Sequence, residues 1–175
     1  MRDLNKKRLL IGVISDTHIP SRTDAIPQEI IDDFKAKKVD YVFHLGDYTA
    51  LAVYEQLCKI FGDDKVIGIA GNMDSDDINK TMPKTREIDL LGYKIFLTHG
   101  SGGPKRIIKR LNQNYDLSPY DIIIFGHVHQ PITKKTGEKY YFNPGTPTDK
   151  RFTDVNSYGI LELSADLVDF KIIRL

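Results

Sequence analysis

Seven residues have the types and spacing to do chemistry together: Asp16, His18, Asp47, Asn72, His99, His127 and His129. Each follows an apolar run directly, in Ile14-Ser-Asp16-Thr-His18, His44-Leu-Gly46-Asp47, Ile69-Ala-Gly71-Asn72, Leu97-Thr-His99-Gly100 and Phe125-Gly126-His127-Val-His129. In open α/β sheets the carboxyl ends of strands form the ligand crevice. Four of the five histidines fall at such ends. Asp16 and His18 are two apart, as are His127 and His129. Extended backbone points i and i+2 the same way, so each pair is expected to aim at one small volume. Gly46, Gly71 and Gly126 precede donors, where glycine permits close backbone approach.

The donors are oxygen and imidazole, without thiolate. That set suits Mn²⁺ first, with Ni²⁺, Co²⁺, Fe or Zn²⁺ as alternatives, ahead of Ca²⁺ or Mg²⁺. Seven donors are too many for one ion with an open position, so two divalent ions sharing a carboxylate are expected. Such pairs sit about 3.5–4 Å apart and clamp the attacking and leaving oxygens of phosphoryl transfer. Asp16 and Asp47 neutralise only part of the two ions' charge, which leaves room for hydroxide and an anionic phosphate ester.

These residues need strands that stop where the donors begin. Leu9–Ile14 is continuously apolar, the pattern of a strand covered on both faces. Pro27 opens a helix with Ile30, Ile31 and Phe34 on its apolar side. Val39–Leu45 is a second strand. Thr49 is expected to cap the next helix, which carries Leu51, Tyr54, Leu57, Cys58 and Phe61. Val66–Ala70 is a third strand, completing a parallel βαβαβ order. Arg86–Leu90 and Tyr93–Thr98 read as a hairpin. Pro104 is expected to open a basic helix with Ile107, Ile108 and Leu111, before the strand Asp121–Phe125. Thr133–Thr136 with Lys139–Phe142, and Tyr158–Leu163 with Leu167–Ile173, are further hairpins. The expected class is α/β, with two mixed sheets face to face and helices outside, in one domain over residues 1–175.

The chain has 175 residues, 41% hydrophobic and 28% charged, which excludes disordered and fibrous classes. With 25 basic against 24 acidic residues, no global field attracts nucleic acid or a membrane surface. The single cysteine, Cys58, excludes an internal disulfide and reads as core. Lys6, Lys7 and Arg8 before the short apolar run faintly suggest a secretion signal, but the run stops at Ser15-Asp16, so a strand and a cytoplasmic location are expected.

The ordered set D-x-H, G-D, G-N, H and G-H-x-H across residues 16–129 resembles the calcineurin-like metallophosphoesterase superfamily. Asn143-Pro144-Gly145-Thr146, with Arg151 beyond, resembles the N-P-G-S segment of its small YfcE-like phosphodiesterases. The resemblance implies a four-layer α/β/β/α sandwich and a dinuclear centre. In it Asp16, His18 and His129 hold one ion, Asn72, His99 and His127 hold the other, and Asp47 bridges them. Asp47, Asn72 and His99 are read as catalytic as well as metal-holding. A hydroxide between the ions would attack a phosphodiester in line, with aryl diesters favoured. The resemblance also implies a small-molecule substrate and a homodimer or homotetramer. One departure stands out: many relatives read G-N-H-[DE], whereas this chain reads Gly71-Asn72-Met73-Asp74. Met73 transfers no proton, so the general acid is unassigned. The rival readings are a protein-interaction scaffold on the same fold, as in a retromer subunit, and a nuclease of the superfamily.

Other polar residues have plainer readings. His44 sits inside a strand, as a core histidine or one orienting a ligand. Asp74 either holds a ligand loop or caps a helix over Ser75–Asn79. Lys105, Arg106, Lys109 and Arg110 read first as a solvated face, second as phosphate steering. Arg22 and Arg151 are candidates to pair with a phosphate oxygen. Ser15 and Ser101 lack the G-x-S-x-G elbow of a serine hydrolase.

Overall fold

The structure, a computed structural model, describes residues 7–175. Lys6 lies outside the described residues. The strand β1 (Arg8–Ile14) starts the chain's first sheet. It pairs in parallel with β2 (Tyr41–His44), which pairs in parallel with β3 (Val66–Gly68). The crossovers are α1 (Gln28–Lys37) and α2 (Leu51–Phe61). On the other side of β1 the final hairpin, β9 (Ser157–Ser164) and β10 (Leu167–Arg174), adds antiparallel, giving the order β10-β9-β1-β2-β3.

After the short α3 (Asp76–Thr81), the second sheet gathers the rest of the chain. Its strands are β4 (Thr85–Leu90), β5 (Tyr93–Thr98), β6 (Ile122–Phe125), β7 (Pro131–Thr136) and β8 (Lys139–Pro144). They lie in the order β4-β5-β6-β8-β7, with β5, β6 and β8 parallel. The helix α4 (Ile107–Asn114) connects β5 to β6.

Alternation along β1 explains the layering. Ile11 and Val13 face one way and pack with Ile95, Leu97, Ile122, Ile124 and Phe142 of the second sheet. Ile14 faces the other way, into a cluster with Ile30, Ile31 and Phe34 of α1 and Val53 and Leu57 of α2. On the far face of the second sheet, Phe96, Ile123, Phe125 and Tyr141 cover Ile107 and Leu111 of α4. Helices, sheet, sheet and helix thus form the four expected layers, with two mixed β-sheets between the flanking helices. Truncating a fully buried inter-sheet side chain such as Leu161 costs about 2–5 kcal/mol.

Three local expectations are corrected. Ala50, not Thr49, is the N-cap of α2. Thr49 has φ +80, its amide is taken by Asp74, and its hydroxyl has no hydrogen-bond partner. The α4 helix begins at Ile107 rather than Pro104, because Arg106 adopts a left-handed conformation before it. The N-cap of α3 is Ser75, so Asp74 is not the capping residue.

Candidate metal centre

The parallel strands end together, and hydrogen bonds continue past their ends. Asp16 N–H donates to the Gly46 carbonyl (3.0 Å), His18 N–H to that of Asp47 (2.9 Å), and Gly126 N–H to that of His99 (3.1 Å). The donor-bearing turns of each sheet are therefore laced to their neighbours. Asp16, His18, Asp47, His127 and His129 all have positive φ, between 47° and 72°. Left-handed backbone at non-glycine residues is costly and concentrates at functional sites.

This conformation overturns the alternation argument. The donors are not extended, so residues two apart need not share a direction. Asp16 and His18 do converge, with His129, in one group of potential metal donors. His127 and His129 diverge. His129 Nε2 lies 3.2 Å from His18 Nε2 and 3.3 Å from Asp16 Oδ1. His127 Nδ1 faces Asn72 Oδ1 at 2.9 Å instead. Asp16, Asp47 and His99 form a second group. His99 Nε2 is 3.3 Å from Asp47 Oδ2, 3.8 Å from Asp16 Oδ1 and 3.1 Å from Asn72 Oδ1. Asp47 Oδ2 also lies 3.8 Å from His18 Nε2. All seven sequence-selected residues thus meet in one chain of contacts.

Glycines permit this density. A Cβ on Gly71 would lie 2.2 Å from Asp47 Oδ1, and one on Gly126 2.0 Å from Ser15 Oγ. Polar neighbours hold the turns. The Asp74 carboxylate accepts the amides of Asp47 (3.0 Å), Thr49 (2.8 Å) and Gly71 (2.7 Å), which is the loop-holding reading of that residue. Asp16 Oδ2 accepts Ser15 Oγ–H (2.5 Å) and His127 N–H (2.9 Å). The Asn143-Pro144-Gly145-Thr146 segment acts as a brace. Thr146 Oγ1–H donates to the Asp16 carbonyl (2.7 Å) and Asn143 Nδ2–H to that of Gly126 (2.6 Å).

Ring orientations are set from behind. His99 Nδ1–H donates to the Leu45 carbonyl at 2.6 Å, turning Nε2 toward the carboxylates. His127 Nε2–H donates to the Gly102 carbonyl at 2.9 Å, leaving Nδ1 as the inward nitrogen. Burial alone would depress the His99 imidazole, but Asp16 and Asp47 outweigh it and lift it to about 9. Burial alone would raise Asp16, yet His99 and His129 bring it down to about 2. Burial lowers His18 and His127.

Nearby residues take supporting roles. His44, as expected of a core histidine, is not in the donor groups. It is fully buried, stacks on Tyr48 with ring centroids 3.5 Å apart, and meets Thr17 Oγ1 at 3.0 Å. It therefore supports the turn between Asp16 and His18 rather than a donor itself. Arg110 donates to the carbonyls of Ser101 (2.9 Å), Lys105 (2.7 Å) and Gly103, so it staples the loop after His99 instead of presenting a free cation. Arg22 and Arg151 both turn to Asp149, at 3.1 and 2.8 Å.

Asp149 escaped the sequence reading. Its side chain is fully buried, and Oδ2 lies 3.7 Å from His129 Nδ1. Burial would raise its carboxyl, but Arg151 and Arg22 hold it far below the usual range. No apolar strand precedes it. Its only sequence signal is the pair of loop arginines that need an acceptor.

The donor set fits metal ions on one observation above others. Asp16 Oδ1 is buried without a hydrogen-bond partner, pointed among imidazoles. An orphaned carboxylate oxygen is expensive unless a cation completes it.

Residues 9–166 match the calcineurin-like phosphoesterase superfamily domain. The chain belongs to that superfamily. A probable metallophosphoesterase of Methanothermobacter thermautotrophicus is 34% identical over 166 residues, covering 95% of this chain and 92% of that protein. The phosphodiesterase YfcE of Escherichia coli is 34% identical over 121 residues, covering 66% of this chain and 61% of that protein. Among solved structures, a zinc complex of Vps29 from Entamoeba histolytica superimposes with a TM-score of 0.75 at 26% identity. It covers 95% of this chain and 98% of that chain. Membership supports hydrolysis of phosphoester bonds by a metal-dependent family, and the chain carries residues suited to a metal.

Proposed function

We propose that the protein is a dinuclear metal-dependent phosphodiesterase. The observation that carries the reading is that the seven metal-capable residues form one chain of contacts, five of them (Asp16, His18, Asp47, His99 and His129) grouped about the buried Asp16 carboxylate and the other two joined through Asn72 Oδ1, in a chain of this superfamily. Asp16, His18 and His129 would hold one ion, and Asn72, His99 and His127 the other. Asp47 suits the bridging role because Oδ2 is near both His18 and His99. When bound, the ions supply positive charge to the phosphoryl oxygens and acidify the attacking water.

The chain's own residues prepare that chemistry. The Leu45 and Gly102 carbonyls fix the tautomers of His99 and His127, and Asp74 fixes the turns of Asp47 and Gly71. Water releases a proton to solvent as its oxygen bonds to phosphorus, one P–O ester bond breaks, and the departing oxygen leaves as an anion or takes a proton from solvent. Met73 is 59% exposed at this site and offers no proton. General acid catalysis is typically about 10²–10⁴-fold, so its absence favours good leaving groups. Aryl diesters should be turned over readily and alkyl diesters poorly.

The test is hydrolysis of bis(p-nitrophenyl) phosphate with Mn²⁺, Ni²⁺, Co²⁺ and Zn²⁺ in turn. Turnover that chelation abolishes, with kcat/KM falling steeply as leaving-group pKa rises, is the expected result. No turnover with any ion would return the molecule to the scaffold reading that the Vps29 likeness raises.

A further inference from the structure

Among the described residues, four large apolar side chains stand exposed: Met73, Phe152, Leu167 and Leu175. Leu167 begins β10 and Leu175 ends the sequence. The other two flank the candidate metal centre. Met73 N–H donates to Asp47 Oδ1 at 2.7 Å. The Phe152 ring lies 5.3 Å from that of His129, edge to face at 76°, yet Phe152 is 60% exposed. Single exposed apolar side chains are ordinary. Of the two, Phe152 borders a cleft, which gives its exposed ring a place in which a ligand could sit.

Phe152 also lines a cleft of about 510 Å³ with Gln130, Pro131, Lys150, Arg151 and Arg174. That volume is in the range of small-molecule sites, about 300–1,000 Å³. The residue is tied at its backbone and contacted at its ring. The Phe152 carbonyl accepts Gln130 Nε2–H at 3.1 Å. The Arg151 guanidinium sits 5.3 Å from the ring centroid and is itself tied to buried Asp149. An exposed aromatic ring beside a donor cluster is a stacking platform for a planar group. Lys150, Arg151 and Arg174 outnumber the one carboxylate of the cleft, Asp154, so an electron-rich or anionic ring is favoured.

We infer that the Phe152 cleft receives an aromatic ester arm of the substrate, with the phosphoryl group at the donor cluster and the ring against Phe152. This names a substrate class, aryl or heteroaryl phosphoesters, and it rests on the phosphodiesterase reading. It differs from the leaving-group argument because it concerns recognition, not the departing oxygen.

The experiment compares binding of phenyl phosphate and ethyl phosphate to the Mn²⁺-supplemented protein by calorimetry. Phenyl phosphate should bind about tenfold tighter, the scale of one aromatic stack. Phe152→Ala and Phe152→Leu should bring the two ligands near parity, while Phe152→Trp should keep the preference. Leucine keeps apolar volume without a planar face, so it separates stacking from burial. Exposure of Phe152 means the melting temperatures should match wild type, and Phe152→Leu carries the test if the alanine variant melts early. Equal binding of both ligands by wild type, or a preference that survives Phe152→Ala and Phe152→Leu, overturns the inference. Equal binding together with diester hydrolysis sinks this inference and leaves the function standing. A phenyl preference without hydrolysis does the reverse.

Discussion

On the His129 side of the centre every donor is buried: Asp16 is 0%, His18 4% and His129 5% exposed. On the Asn72 side, Asn72 is exposed and His127 only partly covered, although Asp47 and His99 remain buried. The supports differ too. His129 Nδ1 faces the buried Asp149 carboxylate at 3.7 Å, beyond hydrogen-bond distance, and two arginines pair with that carboxylate. His127 is backed by the Gly102 carbonyl, in a loop stapled by Arg110. Side chains packed in the interior hold one side, and loop backbone at the surface holds the other. Buried, charge-supported donors are pre-organised and lose little freedom on binding a cation, whereas surface donors must be ordered. The proposed ions should therefore bind with unequal affinity, the tighter one beside His129.

The largest effect should come from the group that joins the two sides. Asp47→Asn removes a charge that lies near both His18 and His99. Turnover should fall on the order of 10²–10³-fold or more, and metal content should drop on both sides. Activity assays and metal analysis of the purified variant check this. Near-normal turnover with two ions retained would remove Asp47 from the centre.

A smaller effect tests the backing of the closed side. Asp149→Asn keeps the shape but removes the charge facing His129 Nδ1. Affinity for the tighter ion should weaken about 10–100-fold, with the weaker ion little changed. Equal weakening of both would make Asp149 a general brace rather than a support for His129.

Much of this asymmetry was invisible in the sequence. The strands were legible because β1, β2, β5 and β6 are apolar runs with polar residues at their ends, and the seven donors sit at those ends. The directions of the donors were not legible. Alternation assumes extended backbone, and the turns at Asp16, His18, His127 and His129 are left-handed. Thr49 looked like a cap because capping residues are common before helices, but Asp74, twenty-five residues away, claims its amide. Asp149 and its arginines are brought together from |i−j| of 127 and 2, and only the fold supplies the longer link. The N-P-G-T segment was noticed only by resemblance; its brace on Asp16 and Gly126 is a tertiary contact.

A further effect falls on stability rather than on turnover or metal affinity, at the floor of the closed side. Burial drives the His44 imidazole from 6.5 down to about 3. Above pH 6.5 the ring is neutral in both folded and unfolded chains. Below it the unfolded chain takes a proton that the folded one refuses. Stability is therefore lost as pH falls from 6.5 toward about 3, by up to about 1.4 kcal/mol per pH unit. Replacing the ring with an amide, His44→Gln, should flatten this slope in the metal-free protein, as read by urea unfolding across that range. An unchanged slope would mean that His44 is not held neutral.

The most direct measurement is a calorimetric titration of Mn²⁺ into metal-free protein, run on wild type, His129→Ala and His127→Ala. Wild type should take up two ions in two distinguishable steps. His129→Ala should lose the tighter step, and His127→Ala should lose only the weaker. A single ion, two equivalent ions, or a tight step that survives His129→Ala would contradict an unequal two-ion centre.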